Sequence, residues 1–164
     1  MEAIALLLAN SDRQLNSLIE AQVLDVCYNQ AVVHCTKTAR VDELAHLGRS
    51  GQFDLIVVAA DNLSPGPGHR ATSVASEEVL RAIGDIRSHC STPMLAVTMR
   101  LEAEASLLGA GADCVVRFPF QAEMLKAEVR GLLRMPELVE KVAVPTRWSL
   151  AAMLLRRFGR LKSA

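Results

Sequence analysis

Catalysis and metal binding need side chains that attack, ligate or exchange protons, and this sequence brings few of them together. His34-Cys35 and His89-Cys90 are adjacent pairs of residue types that bind zinc. Neighbours on an extended strand point to opposite faces, so His34 and Cys35 cannot close on one ion, and no metal site is expected. The cysteines, Cys27, Cys35, Cys90 and Cys114, show no C-x-x-C spacing, which fits buried thiols in a reducing compartment. Residues 64–70 (SPGPGHR) could offer a nest of backbone N–H groups to an anion. They match neither a phosphate-binding loop nor a dinucleotide fingerprint, and read as a turn-rich loop. Residues 109–112 (GAGA) fit a helix end turning into a strand. No Ser-His-Asp or Cys-His arrangement is visible in the local sequence, so no catalytic residue and no cofactor are expected.

The elements that must position these residues alternate strictly. Hydrophobic residues make up 51% of the 164 positions and aromatics only 4%, so the core must be aliphatic. Short apolar runs predict strands at 4–9, 31–36, 54–60, 94–98 and 114–118. A helix follows the first strand, and segments of helical period predict further helices at 41–47, 76–89, 102–108 and 121–134. The first helix takes Asn10, Ser11 or Asp12 as its cap, with Leu15, Leu18, Ile19 and Val23 inward. The second turns Val41, Leu44 and Ala45 inward, and Gly51 helps end it. Residues 61–75 form a loop. Five strands alternating with five helices imply an α/β, flavodoxin-like, doubly wound parallel sheet.

Within that frame, residues 93–98 (PMLAVT) and 111–120 (GADCVVRFPF) resemble the last third of a response-regulator receiver domain. Residues 53–59 (FDLIVVA) fit its third strand, and the element order agrees over 3–135. Working receivers hold a divalent cation on an acidic pair after the first strand, because hard cations take carboxylate oxygens. They phosphorylate an Asp at the end of the third strand, and a Lys before the fifth-strand Pro meets the phosphoryl charge. Here the matching positions are Asn10 and Ser11, Ala59, and Phe118. A one-residue slip brings in Asp12, still a single carboxylate. Val115 stands where an aromatic reports phosphorylation. Only Thr98 and Pro119 stand as in the family, Pro119 then following a cis bond.

The resemblance thus implies a degenerate receiver, a pseudo-receiver, with no nucleophile and no metal site. Ala59 and Phe118 would make an apolar plug of the pocket and stabilise the domain by about a kcal/mol. Asp61 is read as a turn-forming residue in an exposed loop, not as a substitute acceptor.

The remaining sequence divides into a receiver-like domain (1–135), a linker (136–147) and a basic amphipathic helix (148–164). From Lys141 onward there are six basic residues and no acid, which leaves 12 basic and 18 acidic residues in 1–140. At about 100° per residue, Leu150, Leu154, Phe158 and Leu161 share one face, with Trp148 and Leu155 beside them. Arg156, Arg157 and Arg160 lie opposite. This helix could pair with a partner or its own copy, fold back on the acidic body, or lie on an anionic membrane surface. Receivers commonly pair through the fourth helix, fifth strand and fifth helix. That face offers Glu102 and Glu104 against Lys126, Arg130 and Arg134, charges suited to a homodimer.

The expected function is therefore phosphorylation-independent signalling of two-component type through protein–protein contact. The alternative is a small-ligand-binding domain using a crevice lined by Asn10, Ala59, Ala60, Thr98 and the 61–75 loop. Balanced overall charge and the lack of a helix-turn-helix companion argue against nucleic acid. The first nine residues lack a positive start and read as a strand, not a signal peptide. No apolar run approaches the ~18 residues of a membrane span. The expected location is cytoplasmic, with membrane-peripheral docking left open by the helix.

Overall fold

The computed structural model describes residues 2–65 and 75–135. The 136–147 linker, the 148–164 helix and most of the expected 61–75 loop lie outside these residues.

Five strands, β1 (Glu2–Ala9), β2 (Ala31–Thr38), β3 (Leu55–Ala59), β4 (Met94–Thr98) and β5 (Cys114–Arg117), form one sheet. All neighbours are parallel and the order is β2-β1-β3-β4-β5. β3 and β4 are buried at every position, as strands covered on both faces must be. Their near-unbroken apolar composition follows from that position.

The helices are α1 (Arg13–Cys27), α2 (Val41–Gly48), α3 (Ala75–His89), α4 (Ala103–Ala110) and α5 (Ala122–Leu133). α1 and α5 cover one face, where Ile19, Val23, Leu125 and Val129 pack on Leu6, Leu8, Val57 and Leu95. α2, α3 and α4 cover the other, where Leu44, Ile83, Ile86 and Leu107 meet Leu7, Ile56, Val58 and Met94. Successive strand residues feed opposite faces, so the run of Leu6, Leu7 and Leu8 supplies both cores.

Of the three candidate caps for α1, Asp12 serves: its carboxylate accepts from the backbone N–H groups of Gln14 (2.8 Å) and Leu15 (3.2 Å). Leu18, expected inward, is 40% exposed; the buried stripe instead continues to Val26 and Cys27. α2 ends at Gly48, three residues before Gly51, which bends the following loop at φ 66°. Ile86 lies so close that a Cβ at Gly48 would meet it at 2.5 Å. β2 runs two residues longer than its apolar pattern because Lys37 and Thr38 stay in register with Leu8 and Ala9. Gly111, at φ 123°, makes the turn from α4 into β5. Arg87 of α3 fastens that turn by donating to the Gly111 carbonyl (2.9 Å) and the Asp113 carboxylate (2.6 Å).

Candidate functional site: the carboxyl ends of the strands and the face beside β5

The residues that the resemblance singled out lie at and just beyond the ends of β1, β3, β4 and β5. Ala59 is in register with Val97 of β4, and Thr98 with Arg117 of β5. Ala59 and Thr98 are each 1% exposed and Asn10 is 2% exposed. Asn10 is enclosed in a local network. Its side-chain amide donates to the Asp12 carbonyl (3.1 Å), its side-chain oxygen accepts from the Asp12 N–H (3.0 Å), and its own carbonyl accepts from Asn16 (3.2 Å). Ser11 is tied to the loop after β3, its N–H donating to the Asn62 carbonyl at 2.8 Å and its hydroxyl to the same oxygen. The nearby acid, Asp12, is committed to capping α1.

At the fifth strand, Phe118 takes a half-buried place against the α1/α5 core and meets Phe120 edge to face, centroids 5.6 Å apart. The Phe118–Pro119 peptide is cis, as the resemblance implied. Val115 packs instead against the α2/α3/α4 core.

Asp61 stands in the turn after β3, as expected, but not on an exposed loop. It is half-buried, and its Oδ2 accepts from the Thr98 hydroxyl (2.8 Å) and the Met99 N–H (2.6 Å). Thr98 Oγ1 in turn accepts from the Arg100 N–H (3.1 Å). The Asp61 carboxylate thus joins the loop after β3 to the loop after β4. Sequence reasoning missed this because the partner is 37 residues away. The available signal was Thr98 itself, a strand-end hydroxyl that needs a partner once buried.

Of the residues expected to line a small-ligand crevice, Asn10, Ala59, Ala60 and Thr98 are all 6% exposed or less, and most of the 61–75 loop lies outside the described residues. Asp61 does border a small hollow of about 240 Å³ with Leu80, Arg100, Glu102 and Ser106. Among the described residues, no three His, Cys, Asp or Glu side chains converge as a metal site would require. His34 is exposed and Cys35 half-buried, on opposite faces as expected.

The face of α4, β5 and α5 differs from the charged surface expected. Lys126 turns away toward α1, its Nζ 2.5 Å from Asp25 and 3.0 Å from Glu123, with 15% of its side chain exposed. The hydrogen bond and charge of Lys126 hold the Asp25 carboxyl below its ordinary range, and Arg130 adds to this. Arg130 is half-buried, and Arg134 lies beside Ala3 and Asp54 at the opposite end of the sheet. The reason is angular: Leu125 and Val129 point inward, so Lys126 and Arg130, one residue later, fall on the flank facing α1.

What remains is an apolar groove of about 610 Å³, lined by Met99, Leu101, Val115, Phe118, Phe120 and Met124, with Glu104 and Arg117 as its charged members. Leu101 is 65% exposed and Met124 53%. Acids surround the adjoining strand. The Cys114 thiol is pushed up to about 12 by burial first, and then by Glu128, Asp113 and Glu104. Arg100 is engaged by Glu102 at 2.9 Å.

The architecture is that of a receiver. A two-component response regulator from Clostridium difficile superposes with a TM-score of 0.61 at 19% identity, over 80% of this chain and 97% of that one. A signal receiver domain of a histidine kinase from Clostridium thermocellum gives 0.62 at 15%, over 80% and 98%. The receiver domain of a sensor histidine kinase from Pseudomonas aeruginosa, with magnesium in its active-site cleft, gives 0.61 at 17%, over 80% and 98%. No family model matches the chain, and no curated protein matches it. The chain is a receiver-like α/β domain by fold. Among the described residues, no helix is long and apolar enough to cross a membrane.

Proposed function

We propose that this chain is a pseudo-receiver: a non-catalytic signalling adaptor of two-component type that works by protein contact without being phosphorylated. One observation carries the reading. The Thr98 hydroxyl, kept from the family pattern, is already engaged by a carboxylate of the chain itself. Ala59 in the acceptor position offers no nucleophile, Asn10 and Ser11 offer no carboxylate pair, and Phe118 offers no ammonium group. Asp61 has Thr98 beside it, and Asp12 caps α1 through its Oδ1.

Contact is assigned to the groove between α4, β5 and α5. Its exposed methionines and leucine suit a partner's apolar side chains, and methionine adapts readily to varied shapes. The partner is a signalling protein or a second copy of the chain, in the cytoplasm or at a membrane surface. Incubation with acetyl phosphate and Mg²⁺, followed by intact-mass measurement, tests the reading. An unchanged mass is expected. A gain of one phosphoryl group at Asp61 or Asp12 overturns it.

A further inference from the structure

The groove beside β5 needs an occupant that is apolar along one stripe and basic at its margins. A two-fold contact between copies sets residue i against j and j against i, so a single base, Arg117 of the second copy, would have to serve Glu104 and its acidic neighbours. The basic residues that could have relieved this, Lys126 and Arg130, are turned to α1. Arg117 is the one base lining the groove, and Arg100 is already paired with Glu102.

The chain carries a segment of the required kind. Read as a helix, residues 148–162 would place Leu150, Leu154, Phe158 and Leu161 on one face, with Arg157 and Lys162 nearest its margins, Arg156 and Arg160 further round, and no acid. From Leu150 to Leu161 a helix rises about 16 Å, close to the ~18 Å of the 12-residue α5. A helix this short is marginal alone in water, and burying its stripe is what stabilises it.

The reach is sufficient. The described chain ends at Met135, whose sulfur lies 3.9 Å from that of Cys27 at the end of α1. Met124 is eleven residues back along α5, about 16 Å in helical rise. The twelve residues 136–147 extend to about 40 Å, enough to return along α5 to the groove.

We infer that residues 148–162 of the same chain dock as a helix in the α4–β5–α5 groove, covering Met99, Leu101 and Met124 and setting Arg157 and Lys162, the bases nearest the stripe, toward Glu104 and Glu128. The tail then competes with any outside partner for this face, which makes it an autoinhibitory element. The inference rests on the reading of this face as the contact surface. It is independent of phosphorylation, so the mass experiment above can fail or succeed without deciding it.

Trp148, the only tryptophan, reports on the tail directly. In the full chain its fluorescence is expected to be blue-shifted from that of free indole and poorly quenched by acrylamide, unchanged by dilution through the micromolar range. Met124→Glu or Leu101→Glu should shift the emission to the solvated value and raise quenching severalfold. Both sites are more than half exposed, so neither change threatens the fold. Leu24→Glu on α1, also an exposed apolar site, should leave the signal alone.

Glu104→Lys should weaken docking, and Arg157→Glu added to it should restore part of the shift. A solvated Trp148 in the unaltered chain overturns the inference. So does a response to Leu24→Glu with none to Met124→Glu. Loss of the blue shift on dilution, together with a fall from dimer to monomer by light scattering, assigns the groove to a second copy instead. A blue shift seen only with anionic vesicles assigns the tail to a membrane.

Discussion

Replacing Asp61 with Ala removes the single acceptor that serves both the Thr98 hydroxyl and the Met99 N–H. A hydrogen bond to a charged group contributes about 1.5–3 kcal/mol. The two bonds here are not equivalent. Met99 is exposed, so water can replace Asp61 at its N–H, whereas Thr98 is 1% exposed and its hydroxyl is left with no acceptor. The expected loss is therefore about 2 kcal/mol, mostly from Thr98. Asp61→Asn keeps an oxygen in place and should lose about half as much.

Urea unfolding measures this. With a slope of about 1–3 kcal/mol per molar, Asp61→Ala should lower the midpoint by roughly 1 M without changing the slope. Thr98→Val, combined with Asp61→Ala, should give a coupling energy of about 1 kcal/mol or more. Additive effects of the two substitutions, or a midpoint for Asp61→Ala within about 0.2 M of the parent, would refute the assignment of Asp61 as a link between the two loops.

Three further outcomes follow from the packing and the charges. Gly48→Ala drives a Cβ into Ile86 and should destabilise the domain by about 1–3 kcal/mol in the same urea assay, with Ile86→Val restoring part of it. Burial, then neighbouring acids, holds Cys114 to about 12 and Cys35 to about 11 against an ordinary 9.0. Their contribution to stability is present below pH 9 and lost as pH rises through 9 to 12. At pH 8 both thiols should react with a thiol reagent far more slowly in the folded chain than in urea. Asp25, lowered from 3.8 chiefly by its hydrogen bond from Lys126, contributes stability above that value and loses it as pH falls through the lowered one. Lys126→Met should accordingly flatten the acid limb of the stability–pH curve, read from thermal midpoints below pH 4.

The order and kind of all ten elements were legible in the sequence because buried parallel strands and amphipathic helices have different apolar periods. Residues 94–98 were placed without error, since a short, mostly apolar run between Pro93 and the Arg100-containing segment beyond Thr98 reads as a buried strand. Boundaries slipped where tertiary pairing overrode pattern, as at Lys37 and Thr38. The proposed substitutions at Asn10, Ser11, Ala59 and Phe118 rest on alignment with a motif alone. What Asp61 does could not be read from the sequence, because its partner lies on the next strand. Nor could the direction of Lys126. Helical spacing fixes angles between residues of α5, but which neighbour lies on which flank is decided by the sheet order.

The bond from Thr98 to Asp61 has a consequence for how such a domain conveys information. Under the proposed reading, its β4 hydroxyl is satisfied before any input arrives, so Asp61 and Thr98 are tied together without a phosphoryl group. A two-state device reports a stimulus by the ratio of its forms, and under the proposed reading phosphorylation does not set that ratio. The remaining variables are the inferred tail contact and quantity. Occupancy of whatever this domain engages should rise with copy number by mass action, so the cell would read this protein as a dose, set by synthesis and turnover.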